Sequence, residues 1–244
     1  GRTIANNYDN MPSSITKSGI TTTFVYDYNG QRVKKTASSV TTVYMGKLYE
    51  CTSSVCTKYI FGGSQRIASK KQGVVNYYHT DHLGSSSIIT NSSGSKVEEI
   101  YYYPYGGTRL NQGSVNVKHK FTGQEEDAET GLYYYGARYY NPFLMHFTQA
   151  DTVLPDIYDP QQLNRYSYVR NNPVKYTDET GNNPFLAGAV GAVIGTGLNL
   201  IKQILFDDNS IEKNYVNLIF NNNYSDIIMH PSKKSGLEKI RLTK

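Results

Sequence analysis

Thr21-Thr22-Thr23-Phe24-Val25-Tyr26-Asp27-Tyr28-Asn29-Gly30-Gln31-Arg32 decides the class of fold. Threonine, phenylalanine, valine and tyrosine alternate through Tyr26 and suit a pleated, half-buried surface, so the run reads as a strand. Asn29-Gly30 then reads as a two-residue type I′ hairpin turn, because both residues tolerate positive φ. The same unit occurs eighteen residues earlier as Tyr8-Asp9-Asn10. A short strand followed by a turn, repeated, predicts an antiparallel sheet.

The rest of the chain to residue 182 extends that reading. Gly62-Gly63, Asn91-Ser92-Ser93-Gly94, Gly106-Gly107 and Asn171-Asn172-Pro173 bound segments of strand length, and helical periodicity is missing before Pro184. The 23 tyrosines and absent tryptophan reinforce a β-rich expectation, since tyrosine carries a large apolar body with a hydroxyl that can reach a carbonyl or water. A net charge of +5 is spread without a Lys/Arg run, which gives no support to nucleic-acid binding. Cys51 and Cys56 flank Thr52-Ser53-Ser54-Val55 and stand as either a hairpin disulfide or two free thiols. The opening Gly1-Arg2-Thr3 lies inside patterned sequence, so the chain reads as a fragment.

From Asn76 to Gly181 a series of ordered motifs follows. They are Tyr77-Tyr78-His79-Thr80-Asp81-His82-Leu83-Gly84-Ser85, Tyr102-Tyr103-Pro104-Tyr105-Gly106, Phe121-Thr122-Gly123-Gln124-Glu125 and Glu129-Thr130-Gly131-Leu132-Tyr133-Tyr134. Ala137-Arg138-Tyr139-Tyr140-Asn141-Pro142, Gln149-Ala150-Asp151, Leu163-Asn164-Arg165-Tyr166-Ser167-Tyr168-Val169 and Tyr176-Thr177-Asp178-Glu179-Thr180-Gly181 complete the series. Together they resemble the core of Rhs-type YD-repeat proteins, which are polymorphic toxin shells related to the C component of insecticidal toxin complexes. The resemblance implies a mainly β fold, with short antiparallel strands spiralling into a shell and a core that curls inward as a plug. It divides the chain into partial YD-repeat strands over 1–75, the core over 76–182, and a variable tail over 183–244.

The resemblance also implies a single-turnover, aspartic protease-like cut in cis that frees the cargo. Matched residue by residue, its two carboxylates are Asp151 and Asp178, and its scissile region is Gly181, Asn182 and Asn183. Two carboxylates brought close share a proton, so one can activate water while the other protonates the scissile carbonyl. Three departures mark this chain: Thr152 and Glu179 follow the aspartates where the family has proline, Met145-His146-Phe147 replaces Gly-Arg-Phe, and Asn182 stands in place of leucine. An alternative stays open, in which Asp151 and Asp178 are turn aspartates that accept nearby backbone N–H groups.

Other constellations do not add up to a site. His79, Asp81 and His82 would fall on opposite faces of an extended strand, and Ser85-Ser86-Ser87 lacks a nucleophile elbow. No metal and no cofactor are expected. Beyond Asn182 the tail carries an apolar run over 184–201, close to the length that membrane insertion needs and equally readable as a flexible apolar segment held inside the shell, followed by weak helical candidates, so the tail reads as small and mainly helical. The implied partners are the chain's own cargo tail, an immunity protein and a secretion apparatus, and the implied location is secreted or cell-surface. Two other functions remain open: a tail that is itself an enzymatic or membrane-active toxin, and a cell-surface YD-repeat protein acting in adhesion.

Overall fold

The computed structural model describes residues 1–153, 158–182, 184–186, 230–231 and 240–241. The helical candidates of the tail and the apolar run beyond Leu186 lie outside these residues. Twelve strands form one antiparallel sheet in which every strand pairs with its sequence neighbours. They are β1 (Arg2–Asn6), β2 (Pro12–Lys17), β3 (Ile20–Tyr26), β4 (Arg32–Ala37), β5 (Val40–Met45) and β6 (Tyr49–Thr52). The sheet continues through β7 (Val55–Gly62), β8 (Gln65–Lys71), β9 (Val74–Thr80), β10 (Ser86–Asn91), β11 (Lys96–Tyr102) and β12 (Thr108–Gly113). Residue 75 falls inside β9, so residues on both sides of it belong to the same sheet.

Two kinds of turn build this meander. Lys17 pairs with Ile20, Ala37 with Val40, Thr52 with Val55 and Lys71 with Val74, which leaves two-residue loops. Both central residues of each loop have positive φ, as a primed hairpin turn requires: Ser18-Gly19, Ser38-Ser39, Ser53-Ser54 and Gln72-Gly73. The second kind is a five-residue loop organised by one Asx side chain. Asp27 Oδ1 accepts the N–H groups of Asn29 and Gln31 at 2.9 and 2.8 Å, while Gly30 closes the turn onto the Asp27 carbonyl. Asn7, Asp81 and Asn91 repeat this arrangement.

Asn29-Gly30 is therefore not a two-residue type I′ turn. Only Gly30 has positive φ, and the register shifts between Val25 and Tyr26 to admit the extra residues. The repeat also runs differently from the Tyr-Asp match, because the residue equivalent to Asp27 is Asn7 and not Asp9. An amide oxygen accepts the same N–H groups as a carboxylate, so the geometry tolerates either residue. Cys51 and Cys56 oppose each other across β6 and β7 and are joined as a disulfide.

The chain then folds back as a second sheet: β13 (Glu125–Asp127), β14 (Leu132–Tyr134), β15 (Tyr139–Asn141) and β16 (His146–Phe147). Its core is almost wholly aromatic, with Phe121, Tyr133, Tyr135, Tyr140, Phe147, Tyr168 and Val169 buried together. Each buried phenol there finds a partner. Tyr135 bonds Thr122 Oγ1 at 2.7 Å and Tyr168 at 3.1 Å, Tyr140 donates to the Tyr105 carbonyl at 2.8 Å, and Tyr133 donates to the Gly106 carbonyl at 3.3 Å. Gly106 has φ +82, and a Cβ there would meet the Phe121 ring at 2.4 Å, so only glycine fits.

A buried charge cluster fastens the two sheets. Arg32 on β4 donates to Glu125 and Asp127 on β13, each at 2.6 Å, and Lys35 reaches Asp127 at 2.8 Å. The Arg32 guanidinium also lies over the rings of Tyr134 and Tyr44, at 4.3 and 4.7 Å. Burial opposes the charged form of Glu125, yet the fields of Arg32 and Lys35 outweigh it and hold the carboxyl below its ordinary range. Lys118 extends the seam by pairing with Glu50 at 2.9 Å.

Last comes β17 (Tyr176–Asp178), which pairs with β18 (Pro184–Leu186) so that Asp178 faces Pro184. The apolar run of the tail thus begins in an extended strand. Two further short strands, β19 (His230–Pro231) and β20 (Ile240–Arg241), pair with each other.

Candidate functional site

Three segments distant in sequence meet at the connection between β17 and β18. The first is the turn after β14, where Tyr135 N–H bonds the Arg138 carbonyl at 2.9 Å and Ala137 N–H bonds the Thr180 carbonyl at 3.0 Å. The second is Gln149–Asp151, and the third is Asp178–Asn182. Arg138 holds them together. Its guanidinium stacks 3.7 Å from the centre of the Phe147 ring, and its side chain is 4% exposed, which leaves its donors aimed only at protein groups.

Each of its three nitrogens meets an acceptor. Arg138 Nη2 lies 2.7 Å from Asp151 Oδ2 and 3.6 Å from Asp178 Oδ2, Nη1 donates to the Arg165 carbonyl at 3.0 Å, and Nε donates to the Gly181 carbonyl. The structure therefore brings both sequence-predicted aspartates to one atom, Arg138 Nη2. It also places the predicted scissile residue Gly181 on the same guanidinium.

The other oxygen of each aspartate is engaged as well. Asp178 Oδ1 accepts the N–H groups of Thr180, Gly181 and Asn182 at 3.2, 2.7 and 3.2 Å. Asp151 Oδ1 accepts the N–H of Val153 at 2.8 Å. Burial pushes the Asp178 carboxyl up to about 6, against the downward pull of the Gly181 N–H and of Arg138. A carboxyl in that range exchanges a proton near neutral pH, which suits general acid–base work.

Gly181 is fixed by space as much as by bonding. Its φ is +83, and a Cβ would stand 2.9 Å from the Tyr135 carbonyl oxygen and 3.1 Å from the Arg138 nitrogen, both of them backbone. Asn182 follows with its Oδ1 buried and without a hydrogen-bond partner. Asn183 lies outside the described residues. Chemically, a guanidinium N–H on the Gly181 carbonyl and a carboxyl beneath three successive N–H groups polarise and orient this loop.

Arg138 was legible only as part of a motif, without a role. The arginine that Gly-Arg-Phe would have supplied is absent, and Phe147 of Met145-His146-Phe147 serves instead as the platform for Arg138. Elsewhere, Asp81 organises its loop, His79 Nε2 bonds Thr90 at 2.9 Å, and His82 Nε2 bonds the Val174 carbonyl at 3.2 Å. Among the described residues no three His, Cys, Asp or Glu side chains gather as a metal site, and no helix is long and apolar enough to cross a membrane.

Comparison with known proteins points in one direction. The teneurin YD-shell family model matches residues 8–174. The tRNA3(Ser)-specific nuclease WapA of Bacillus spizizenii is 32% identical over 189 residues, covering 71% of this chain and 8% of that protein. Toxin subunit YenC2 of Yersinia entomophaga is 36% identical over 129 residues, covering 48% of this chain and 12% of that protein. Among solved structures, TcdB2-TccC3-TEV superposes with a TM-score of 0.63 at 26% identity, covering 74% of this chain and 10% of that one. The Tc holotoxin pore of Photorhabdus luminescens gives a TM-score of 0.62 at 25% identity, over 80% of this chain and 10% of that one. The chain thus spans about a tenth of the length of these relatives.

Proposed function

The chain belongs to the teneurin YD-shell family, and we propose that it is the closing part of a toxin shell that encloses the polypeptide downstream of it and frees that cargo by cutting itself once within residues 181–183. The observation that carries the cut is the single guanidinium of Arg138, which contacts Asp151, Asp178 and the Gly181 carbonyl together. In this reading Arg138 polarises the scissile loop and holds Asp151 beside it, while Asp178 moves the proton that the departing nitrogen needs. The reaction is aspartyl-type, occurs in cis and turns over once. The shell acts outside the producing cell or at its surface, with the cargo tail as its first partner, and with an immunity protein and a secretion apparatus as further ones. Residues 183–244 then form the cargo or its stump, and the run over 184–201 is available to a membrane once released.

A second reading has its own support: Asp178 Oδ1 beneath three N–H groups and Asp151 Oδ1 on Val153 N–H are the contacts of turn aspartates. Intact mass of the purified protein, with Asp151→Asn and Asp178→Asn beside it, separates the two. Self-cleavage requires a wild-type fragment ending within 181–183 and an uncut chain in both variants. An uncut wild type leaves both residues as turn aspartates only.

A further inference from the structure

We propose that the Cys51–Cys56 disulfide is a thiol–disulfide exchange site for a small thiol or a dithiol protein, and that its reduction loosens the tie between the twelve-stranded sheet and the second sheet at Lys118. The inference takes from the shell reading only its place outside the producing cell, and it does not depend on the cut. Cys51 and Cys56 are the only cysteines of the chain and are joined across β6 and β7. The cross-link is not what makes the hairpin turn. Its loop, Ser53-Ser54, has φ +47 and +70, and the β4–β5 loop, Ser38-Ser39, takes φ +47 and +68 without a disulfide. The turn therefore survives opening of the bond, and what the bond restrains is the strand.

That strand carries an anchor. Successive residues of a strand face opposite ways, so Glu50 and Thr52 stand on the face of β6 opposite Cys51. Both hold Lys118, whose Nζ lies 2.9 Å from Glu50 Oε1 and donates to Thr52 Oγ1 at 3.3 Å. The Lys118 carbonyl accepts the Glu126 N–H at 2.9 Å, which makes this residue a rivet between β6 and β13. With four residues, β6 is the shortest strand of the twelve, so its ladder restrains it least and a covalent tie restrains it most. Disulfide and rivet sit back to back on one short strand.

The same arrangement lets a thiol reach the bond without entering the seam, because the disulfide lies on the face turned away from the second sheet. Cys51 is 1% exposed whereas Cys56 is partly exposed, so Sγ of Cys56 is the sulfur open to attack. A thiolate forms a bond to it, the bond between Cys51 and Cys56 breaks, and Cys51 leaves as a thiolate that takes a proton. A second thiolate attacks the sulfur of the first reductant, which frees Cys56 to take the other proton. Two external thiols are thereby oxidised to one disulfide, and the protein disulfide is reduced to two thiols. Such a bond persists outside cells and opens in a reducing interior, so the tie at Lys118 is held in the first place and loosened in the second.

The test compares the oxidised protein with the same protein treated with dithiothreitol under native conditions, by thiol alkylation and by hydrogen exchange read in mass spectrometry. Expected on reduction are alkylation of both cysteines and exchange at least about tenfold faster over 49–57 and in peptides that contain the Glu126 amide, with β10 and β11 unchanged. The double variant Cys51→Ser/Cys56→Ser should show the reduced pattern with and without dithiothreitol. A bond that resists dithiothreitol in the folded protein overturns the exchange site. Faster exchange confined to 49–57 overturns the link to Lys118, and acceleration throughout the sheet overturns the inference by making the disulfide a plain structural staple. None of these readouts depends on whether the chain cuts itself, so the self-cleavage reading stands or falls separately.

Discussion

Replacing Arg32 by methionine removes the charge at the seam while keeping most of the side-chain volume. The Arg32 side chain is 1% exposed, and its partners Glu125 and Asp127 are 6% and 0% exposed. The substitution strands two carboxylates in a low-dielectric space with Lys35 as the remaining cation of the cluster. Breaking a buried pair by removing one partner costs about 3–5 kcal/mol, because the other charge stays buried and uncompensated. With a urea dependence of roughly 2–3 kcal/mol per molar for a domain of this size, the unfolding midpoint should fall by about 1–2 M. Tyrosine fluorescence reads the transition, since the chain has no tryptophan.

The pH dependence supplies a sharper check. In the wild type, Glu125 is held below its ordinary range, so its contribution is present above its unfolded value and is lost as pH falls through the folded one. In the variant the Arg32 share of the field that depressed it is gone and Lys35 alone does not offset the burial of two carboxylates, so acid neutralises them and relieves the penalty. The two proteins should therefore converge on acidification, with the gap shrinking to about half or less by pH 4. A loss below about 1 kcal/mol at neutral pH, or one that does not change with pH, would refute the claim that this cluster holds the sheets together by charge.

Two further outcomes follow from the geometry. If Asp178 acts as proton donor with its carboxyl pushed up to about 6, the rate of the cut falls as pH rises past that value, which a series of quenched time courses would read; by the same sign, the stability this group contributes is present below its unfolded value and lost as pH rises through about 6. Gly106→Ala forces a Cβ into the Phe121 ring at a backbone with φ +82 and should cost about 2–4 kcal/mol, seen as a drop of roughly 10 °C in melting temperature.

The sheet was legible because its strands alternate and its turns carry Gly, Asn and Ser. The turn chemistry was less so. Asn29-Gly30 has the composition of a two-residue hairpin, but Asp27 two positions earlier captures the N–H groups of Asn29 and Gln31 and makes the loop longer. Local dipeptides do not report a competing side chain upstream. Likewise the Tyr-Asp spelling hid the true repeat, since Asn7 performs the work of Asp27 while Asp9 does not. At the candidate site, Asp151 and Asp178 were accessible through family motifs. Arg138 was not assigned, because its role exists only when Phe147, Arg165 and Gly181 are brought around it by three separate turns.

The seam at Arg32 also sets a timetable for the nascent chain. Arg32 and Lys35 emerge from the ribosome some 92–95 residues ahead of the carboxylates that neutralise them. At about 5–20 residues per second, that gap lasts on the order of 5–20 s. Throughout that interval the face of the ribbon around Arg32 and Lys35 carries cations with no Glu125 or Asp127 to meet, and water solvates them better than any apolar neighbour could. Premature collapse of that face onto itself is thereby penalised until residue 127 has been made. The same two side chains that lock the finished structure delay its closure until the sequence that must be folded against it has arrived.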